Sequence, residues 1–411
     1  MRVDLLTREY PPHIYGGAGV HVDELSRVLA AHADVHVHAF DGPRSAEESV
    51  ENVTVNGYDY LDGLDGNDAL RTFGVDLQMV SGTEGADIVH SHTWYANLAG
   101  HLSGLLHGIP HVVSAHSLEP LRPWKREQLG GGYELSSFAE RTAYEGAAGI
   151  VAVSEAMRDD ILRSYPNVDE AKVEVIHNGI DLAAWKRPAS LDAAEEYFRS
   201  YGLDPARPTV IFVGRITRQK GLPHFLRAVG QLPPEIQVIL CAGRPDTQEI
   251  ADEVKGLVTA LQEERDGIVW IDEHLSRENM ISLQAMSTTF VTPSVYEPLG
   301  IVNLEAMACG LPVVGSDTGG IPDCIVHGET GLLVPIDQLD DGTGTPKDPE
   351  RFEADLAAAL TEICADPERA KAMGEAGRTR VEEHFSWESI AEKTMDFYSR
   401  VLDRFDGGLR S

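Results

Sequence analysis

Thr289-Phe-Val-Thr-Pro-Ser-Val-Tyr-Glu-Pro-Leu-Gly-Ile-Val-Asn-Leu-Glu-Ala-Met-Ala-Cys-Gly310 is the stretch on which the reading of this chain turns. Phe290 and Val291 open an apolar strand that Pro293 breaks, and Glu297 follows in a turn flanked by Pro298 and Gly300. Ile301, Leu304 and Ala308 then recur at helical spacing until Gly310 and Pro312 stop the helix. A second carboxylate, Glu305, stands two turns beyond the first. On one continuous helix that spacing would be about 12 Å along the axis, against about 5–5.5 Å for the paired carboxylates of a retaining glycosidase. The pair suits two parts of one long ligand, with a helix N-terminus between them that favours a phosphate. In isolation it also reads as two solvated glutamates on a surface helix, so the rest of the chain has to decide.

The chain has 411 residues, enough for two or three domains with sizeable cores. Its 42% apolar and 24% charged residues are those of an ordinary globular protein. Thirty-four Lys and Arg against 66 Asp and Glu give a formal charge of −32. That field argues against nucleic acid and anionic membranes as partners, and it makes any local cluster of cations informative. Cys241, Cys309, Cys324 and Cys364 show no Cys-x-x-Cys spacing, so neither a zinc knuckle nor a disulfide framework is expected. There is no apolar run of transmembrane length, and the first residues are charged too soon for a signal peptide, so a cytoplasmic location is expected.

From the start, Arg2–Leu6 reads as a buried strand, and a helix is expected from about Ala18, with Gly16 and Gly17 in the turn between them. This is backbone suited to a phosphate, although it matches neither the dinucleotide nor the P-loop pattern. Strands are expected near residues 35–40, 87–90, 111–115, 149–153 and 173–176, with helices between several of them. Such alternation implies a parallel sheet covered on both faces, with ligands gathered at the carboxyl ends of its strands. His116 follows the strand end at Ala115. Arg122, Lys125 and Arg126 lie in an aromatic, glycine-rich segment of an otherwise acidic chain and suit an acceptor-side loop.

Residues 185–208 are polar and proline-bearing and read as a hinge. A second α/β run begins at Thr209 with strands near 209–213, 236–241, 267–271, 288–292 and 312–315. After the first of these, Gly214-Arg-Ile-Thr-Arg-Gln-Lys-Gly221 places Arg215 and Lys220 between a strand and a helix. A guanidinium fork and an ammonium point charge there form a natural diphosphate clamp. No Asp-x-Asp triplet occurs, which argues against a metal-held nucleotide sugar. Residues 387–404 form an amphipathic last helix with Ile390, Met395, Phe397, Tyr398 and Val401 apolar.

Taken together, these motifs resemble the retaining nucleotide-sugar glycosyltransferases of GT-B architecture, glycosyltransferase family 4 type, the group that includes glycogen synthases and sucrose synthases. The matching residues are Glu297-Pro-Leu-Gly…Glu305, Gly214-Arg-Ile…Lys220-Gly, Tyr15-Gly-Gly-Ala-Gly, Ala115-His116-Ser, Val153-Ser-Glu and Ile176-His-Asn-Gly-Ile-Asp. The segment 121–133 and Tyr144-Glu-Gly-Ala are similar to the actinobacterial branch, whose glycogen synthases are also described as α-maltose-1-phosphate synthases. The resemblance implies two Rossmann-like domains facing across a cleft, an acceptor-side domain at 1–185 and a nucleotide-sugar domain at 186–385. It also implies a C-terminal helix, 386–411, that packs back on the first domain.

It further implies residue roles. Glu297 would hold the donor sugar's hydroxyls, with Leu299 and Gly300 offering backbone amides, and Glu305 would hold the ribose. Arg215 and Lys220 would neutralise the leaving diphosphate with help from Gly16 and Gly17, and His116 would approach the reacting sugar. The implied reaction is transfer of glucose from ADP-glucose into an α-1,4 linkage, with no metal or other cofactor. The acceptor would be an α-glucan end or glucose 1-phosphate, the latter giving maltose 1-phosphate. The larger starch and glycogen synthases carry a Lys-x-Gly-Gly loop where this chain reads His13-Ile-Tyr-Gly-Gly17, a departure that fits a subgroup accepting a phosphorylated sugar. UDP-glucose as donor, a sugar-nucleotide epimerase and a non-catalytic sugar sensor are the competing readings, and a homodimer is one option for assembly.

Overall fold

A computed structural model describes residues 1–14, 16–43, 52–64, 66–122 and 131–409. Tyr15, Lys125 and Arg126 lie outside the described residues. The chain divides into two compact units, residues 1–179 with 387–411, and residues 180–386. The crossing points fall at Gly179/Ile180 and Ser386/Trp387 rather than at 185/186.

The first unit is built on a seven-stranded sheet of β1 (Arg2–Thr7), β2 (Asp34–Ala39), β3 (Val53–Gly57), β4 (Ile88–His92), β5 (His111–Ala115), β6 (Gly149–Ala152) and β7 (Val173–Val175). Its order is β3-β2-β1-β4-β5-β6-β7, with every neighbour parallel. The second has six strands, β8 (Thr209–Arg215), β9 (Gln237–Gly243), β10 (Ile268–Ile271), β11 (Thr289–Thr292), β12 (Val313–Ser316) and β13 (Gly331–Val334). Its order is β10-β9-β8-β11-β12-β13, again all parallel. The central strands β4, β5 and β11 are buried at every position, as strands covered by helices on both faces must be. Strand order reverses direction between β1 and β4 in the first unit and between β8 and β11 in the second. A doubly wound sheet opens its ligand crevice at such a reversal, beyond the carboxyl ends of the two strands. The segments after β8 and β11 are those that carry Arg215, Lys220, Glu297 and Glu305.

The last helix, Trp387–Leu409, belongs to the first unit. Trp387, Ile390, Phe397, Tyr398 and Val401 share a core with Val3, Leu5, Val22 and Leu25. Gly149 opens the sheet to it, because a Cβ there would stand 2.7 Å from Phe397 Cζ. Burial of each large side chain contributes about 1.5–3 kcal/mol. Residues 185–208 are not a bare hinge. They include the helix Asp192–Ser200, which buries Ala194 and Phe198 and packs on the helix Arg277–Met286 within the second unit.

Candidate active site

In the second unit the loops after β8 and β11 are locked together at backbone level. Thr217 caps a short turn, Arg218–Lys220, by accepting from the Lys220 N–H. Gly221 follows at φ +62°, where an added Cβ would overlap the Pro293 carbonyl oxygen. Two residues on, the Val295 N–H donates to the Gln219 carbonyl at 2.9 Å. This close approach delivers Lys220 Nζ to Glu297 Oε2 at 2.6 Å, with only 18% and 8% of the two side chains exposed. Ser294 Oγ donates to the same carboxylate oxygen at 3.1 Å. From the far side the Gly320 N–H donates to the Glu297 carbonyl at 2.8 Å, past Gly319, whose φ of +56° and missing side chain leave room for that carbonyl. Glu297 is thus a buried residue whose carboxylate is held by Lys220 and Ser294 and whose backbone carbonyl is held by Gly320, a degree of preorganisation expected of a ligand-orienting acid.

Leu299 is buried, and its carbonyl accepts from Cys324 Sγ at 3.5 Å. Gly300, at φ +90°, is the residue from which the helix Ile301–Ala308 starts. Arg215 ends β8 with its guanidinium 56% exposed, and it pairs with Asp246 at 2.8 Å rather than with Glu297. The expected cationic couple is therefore split between an enclosed lysine and an outward arginine.

Glu305 lies on the helix, half-buried. Burial pushes its carboxyl up to about 7, while the Arg277 and Lys220 cations draw it down. In the unfolded chain it would titrate near 4.5. A folded pKa above the unfolded one means that ionisation opposes folding. The penalty is absent below about pH 4.5, grows up to about pH 7 and is complete above it. Glu305→Gln is expected to remove it, so that the variant gains about 1–3 kcal/mol over the parent between pH 5 and pH 8. Paired urea titrations across that range measure the difference, and parallel pH profiles for the two proteins would refute it.

In the first unit His116 follows β5 and is half-buried. Its Nε2 lies 3.0 Å from His92 Nδ1, and its ring centroid is 4.7 Å from that of His21. His92 ends β4, and His21 lies on the helix Gly17–Leu29. Burial, then the neighbouring imidazoles, hold His21, His90 and His92 well below the ordinary histidine range, and burial brings His116 to about 4. The cluster is accordingly neutral at pH 7. The alternating His90-Ser-His92 was the available sequence signal, but nothing in it shows that His21 and His116 converge on the same point.

At the helix N-terminus the Gly16 N–H donates to Glu9 Oε2 at 2.7 Å. A carboxylate thus occupies the position in which a phosphate oxygen was expected. Arg122 donates to Ser117 Oγ at 3.2 Å and lies 3.8 Å from Glu119 Oε1.

Two doubly wound parallel sheets, with a lysine and a glutamate held together at the reversal point of the second, define a GT-B glycosyltransferase. Residues 15–184 match the Glycosyltransferase Family 4 domain and residues 193–380 match the Glycosyl transferases group 1 domain. The chain is 50% identical over 402 residues to an alpha-maltose-1-phosphate synthase of Mycolicibacterium smegmatis, spanning 98% of this chain and all of that one. It is 48% identical over 401 residues to the alpha-maltose-1-phosphate synthase of Mycobacterium tuberculosis, again spanning 98% and 100%. It therefore belongs to the glycosyltransferase family of the alpha-maltose-1-phosphate synthases and is a hexosyltransferase. The sucrose-phosphate synthase of Thermosynechococcus elongatus shares the fold, with a TM-score of 0.76 over 98% of this chain and 99% of that one at 24% identity.

Proposed function

We propose that the chain transfers glucose from ADP-glucose to glucose 1-phosphate with retention at the anomeric carbon, giving α-maltose 1-phosphate for α-glucan synthesis. The observation that carries this reading is the largely enclosed Lys220–Glu297 pair at the β8/β11 reversal, seen in a chain that matches the two mycobacterial synthases over 98% of its length. Glu297 would hold the donor's ring hydroxyls, Glu305 the ribose, and Arg215 and Lys220 the diphosphate. His116 would serve the reacting sugar, with the Gly17 amide at its phosphate, the Gly16 N–H being held by Glu9. The acceptor hydroxyl oxygen bonds to the anomeric carbon as the carbon–oxygen bond to the diphosphate breaks. The hydroxyl proton passes to the departing phosphate on the same face. Catalysis is then positioning and charge stabilisation, without a protein nucleophile or a metal.

Purified protein is given ADP-glucose with glucose 1-phosphate in one reaction and with glycogen in another. A phosphorylated disaccharide formed at the higher catalytic efficiency supports the reading. Preferential elongation of glycogen would make the polymer the acceptor, and turnover with UDP-glucose alone would overturn the donor. The basic segment gives a second test. Lys125→Ala with Arg126→Ala is expected to raise KM for glucose 1-phosphate about tenfold while leaving KM for ADP-glucose in place. A loss confined to the glucan reaction would refute a role for those cations at an anionic acceptor.

A further inference from the structure

We propose that Gln338 is a positioning residue for Glu297, a role that rests on Glu297 holding the donor sugar. Gln338 lies beyond β13, in a polar turn of residues 337–347. The turn is folded back on itself. The Leu339 N–H donates to the Thr345 carbonyl at 2.9 Å, and the Lys347 N–H donates to the Asp337 carbonyl at 2.7 Å.

From this turn the half-buried Gln338 reaches two other loops. Its Nε2 donates to the Val295 carbonyl at 2.5 Å and to the Gly344 carbonyl at 3.0 Å, and its Oε1 accepts from Thr318 Oγ at 3.2 Å. Two carbonyls on one side and a hydroxyl on the other fix the direction of the amide, since the reverse would set its oxygen against two acceptors. Gly344 permits the close approach. At φ +75° it passes so near that an added Cβ would stand 2.7 Å from the same Val295 carbonyl oxygen.

Both loops lead to Glu297 by a short path. Val295 stands two residues before it, and the Val295 N–H already donates to the Gln219 carbonyl at 2.9 Å. The backbone carrying Glu297 is therefore gripped on one side by the loop after β8 and on the other by Gln338. Thr318 precedes Gly319 and Gly320 in the loop after β12, and the Gly320 N–H holds the Glu297 carbonyl. A carboxylate on a loop aims only as well as the backbone beneath it, and a misplacement of about 1 Å can cost about 10²-fold in rate.

The test compares the full chain with Gln338→Glu, which turns an oxygen toward the two carbonyls, and Gln338→Met, which keeps the length without the hydrogen bonds. In each, kcat with the nucleotide sugar is expected to fall about 10–100-fold. Kd for ADP, which has no sugar for Glu297 to hold, is expected to move less than about threefold. Amide hydrogen exchange in peptides covering 293–300 and 317–321 is expected to quicken at least about tenfold, with β8 and β9 unchanged. Lys347→Ala breaks the exposed pair with Asp337 in the same turn and is expected to match the parent in both readouts. Melting temperatures confirm folding, and if one Gln338 variant fails to fold the other decides. Parent-like turnover or exchange in the folded Gln338 variants would overturn the assignment. So would ADP affinity lost in step with turnover, or an equal loss in Lys347→Ala. A parent that turns over neither ADP-glucose nor UDP-glucose would sink the reaction proposed above, and the exchange comparison alone would then decide whether Gln338 holds the loop.

Discussion

Lys220→Ala is expected to lower kcat/KM for the nucleotide sugar by about 10²–10³-fold, the loss seen when one preorganised charge partner of a developing anion is removed. The ammonium sits 2.6 Å from Glu297 and is itself largely enclosed, so no exposed side chain can replace it from solvent. The same substitution leaves the buried Glu297 carboxylate with Ser294 as its remaining side-chain hydrogen-bond donor among the described contacts. Stability should fall by up to about 3 kcal/mol, less than for a wholly buried pair because the lysine keeps some contact with water. Steady-state kinetics with each substrate varied, beside urea unfolding, separates the two effects. Glu297→Gln combined with Lys220→Ala should recover part of the stability and none of the activity. Near-normal turnover by Lys220→Ala would reduce the lysine to a structural counter-ion.

Gly221→Ala is expected to destabilise the second unit by about 3–5 kcal/mol and to abolish measurable transfer. Two costs combine. Alanine at φ +62° costs about 1–2 kcal/mol, and the new methyl would overlap the Pro293 carbonyl, so one of the two loops must move. Either movement breaks the Val295-to-Gln219 backbone link and separates Lys220 from Glu297. Gly310→Ala supplies the control. Its φ is +77° but no atom lies within 4 Å of the added Cβ, so it should lose only the conformational part. Equal urea midpoints for the two variants would show that the close approach to Pro293 carries no weight.

Much of this site could be read from sequence because its residues follow strand ends directly. Phe290, Val291 and Pro293 fix where β11 stops, and Gly300 fixes where the next helix begins, so Glu297 falls in the loop between them. Arg215 and Lys220 were placed after β8 by the same logic. Their relation to Glu297 was not legible, because it depends on β8 and β11 being neighbours in a sheet whose order runs against the chain. Glu9 escaped notice for a related reason, since its carboxylate reaches Gly16 by folding back across the loop. β3 and β13 were missed because Val-Thr-Val-Asn-Gly and Gly-Leu-Leu-Val are edge strands of only five and four residues. The helix Asp192–Ser200 shows Ala194 and Phe198 as its only buried positions, too few to stand out from the polar residues between them.

Trp387 to Leu409 also fixes an order of events at the ribosome. The first unit is interrupted by residues 180–386, which at about 5–20 residues per second take roughly 10–40 s to emerge. During that interval the nascent first unit exposes the apolar surface that Phe397, Tyr398 and Val401 later cover, and His90 lacks its Tyr398 partner. The uninterrupted second unit can complete itself sooner although it begins later. Synthesis halted before Trp387 would release a finished second half tethered to an unsealed first, the species most in need of a chaperone.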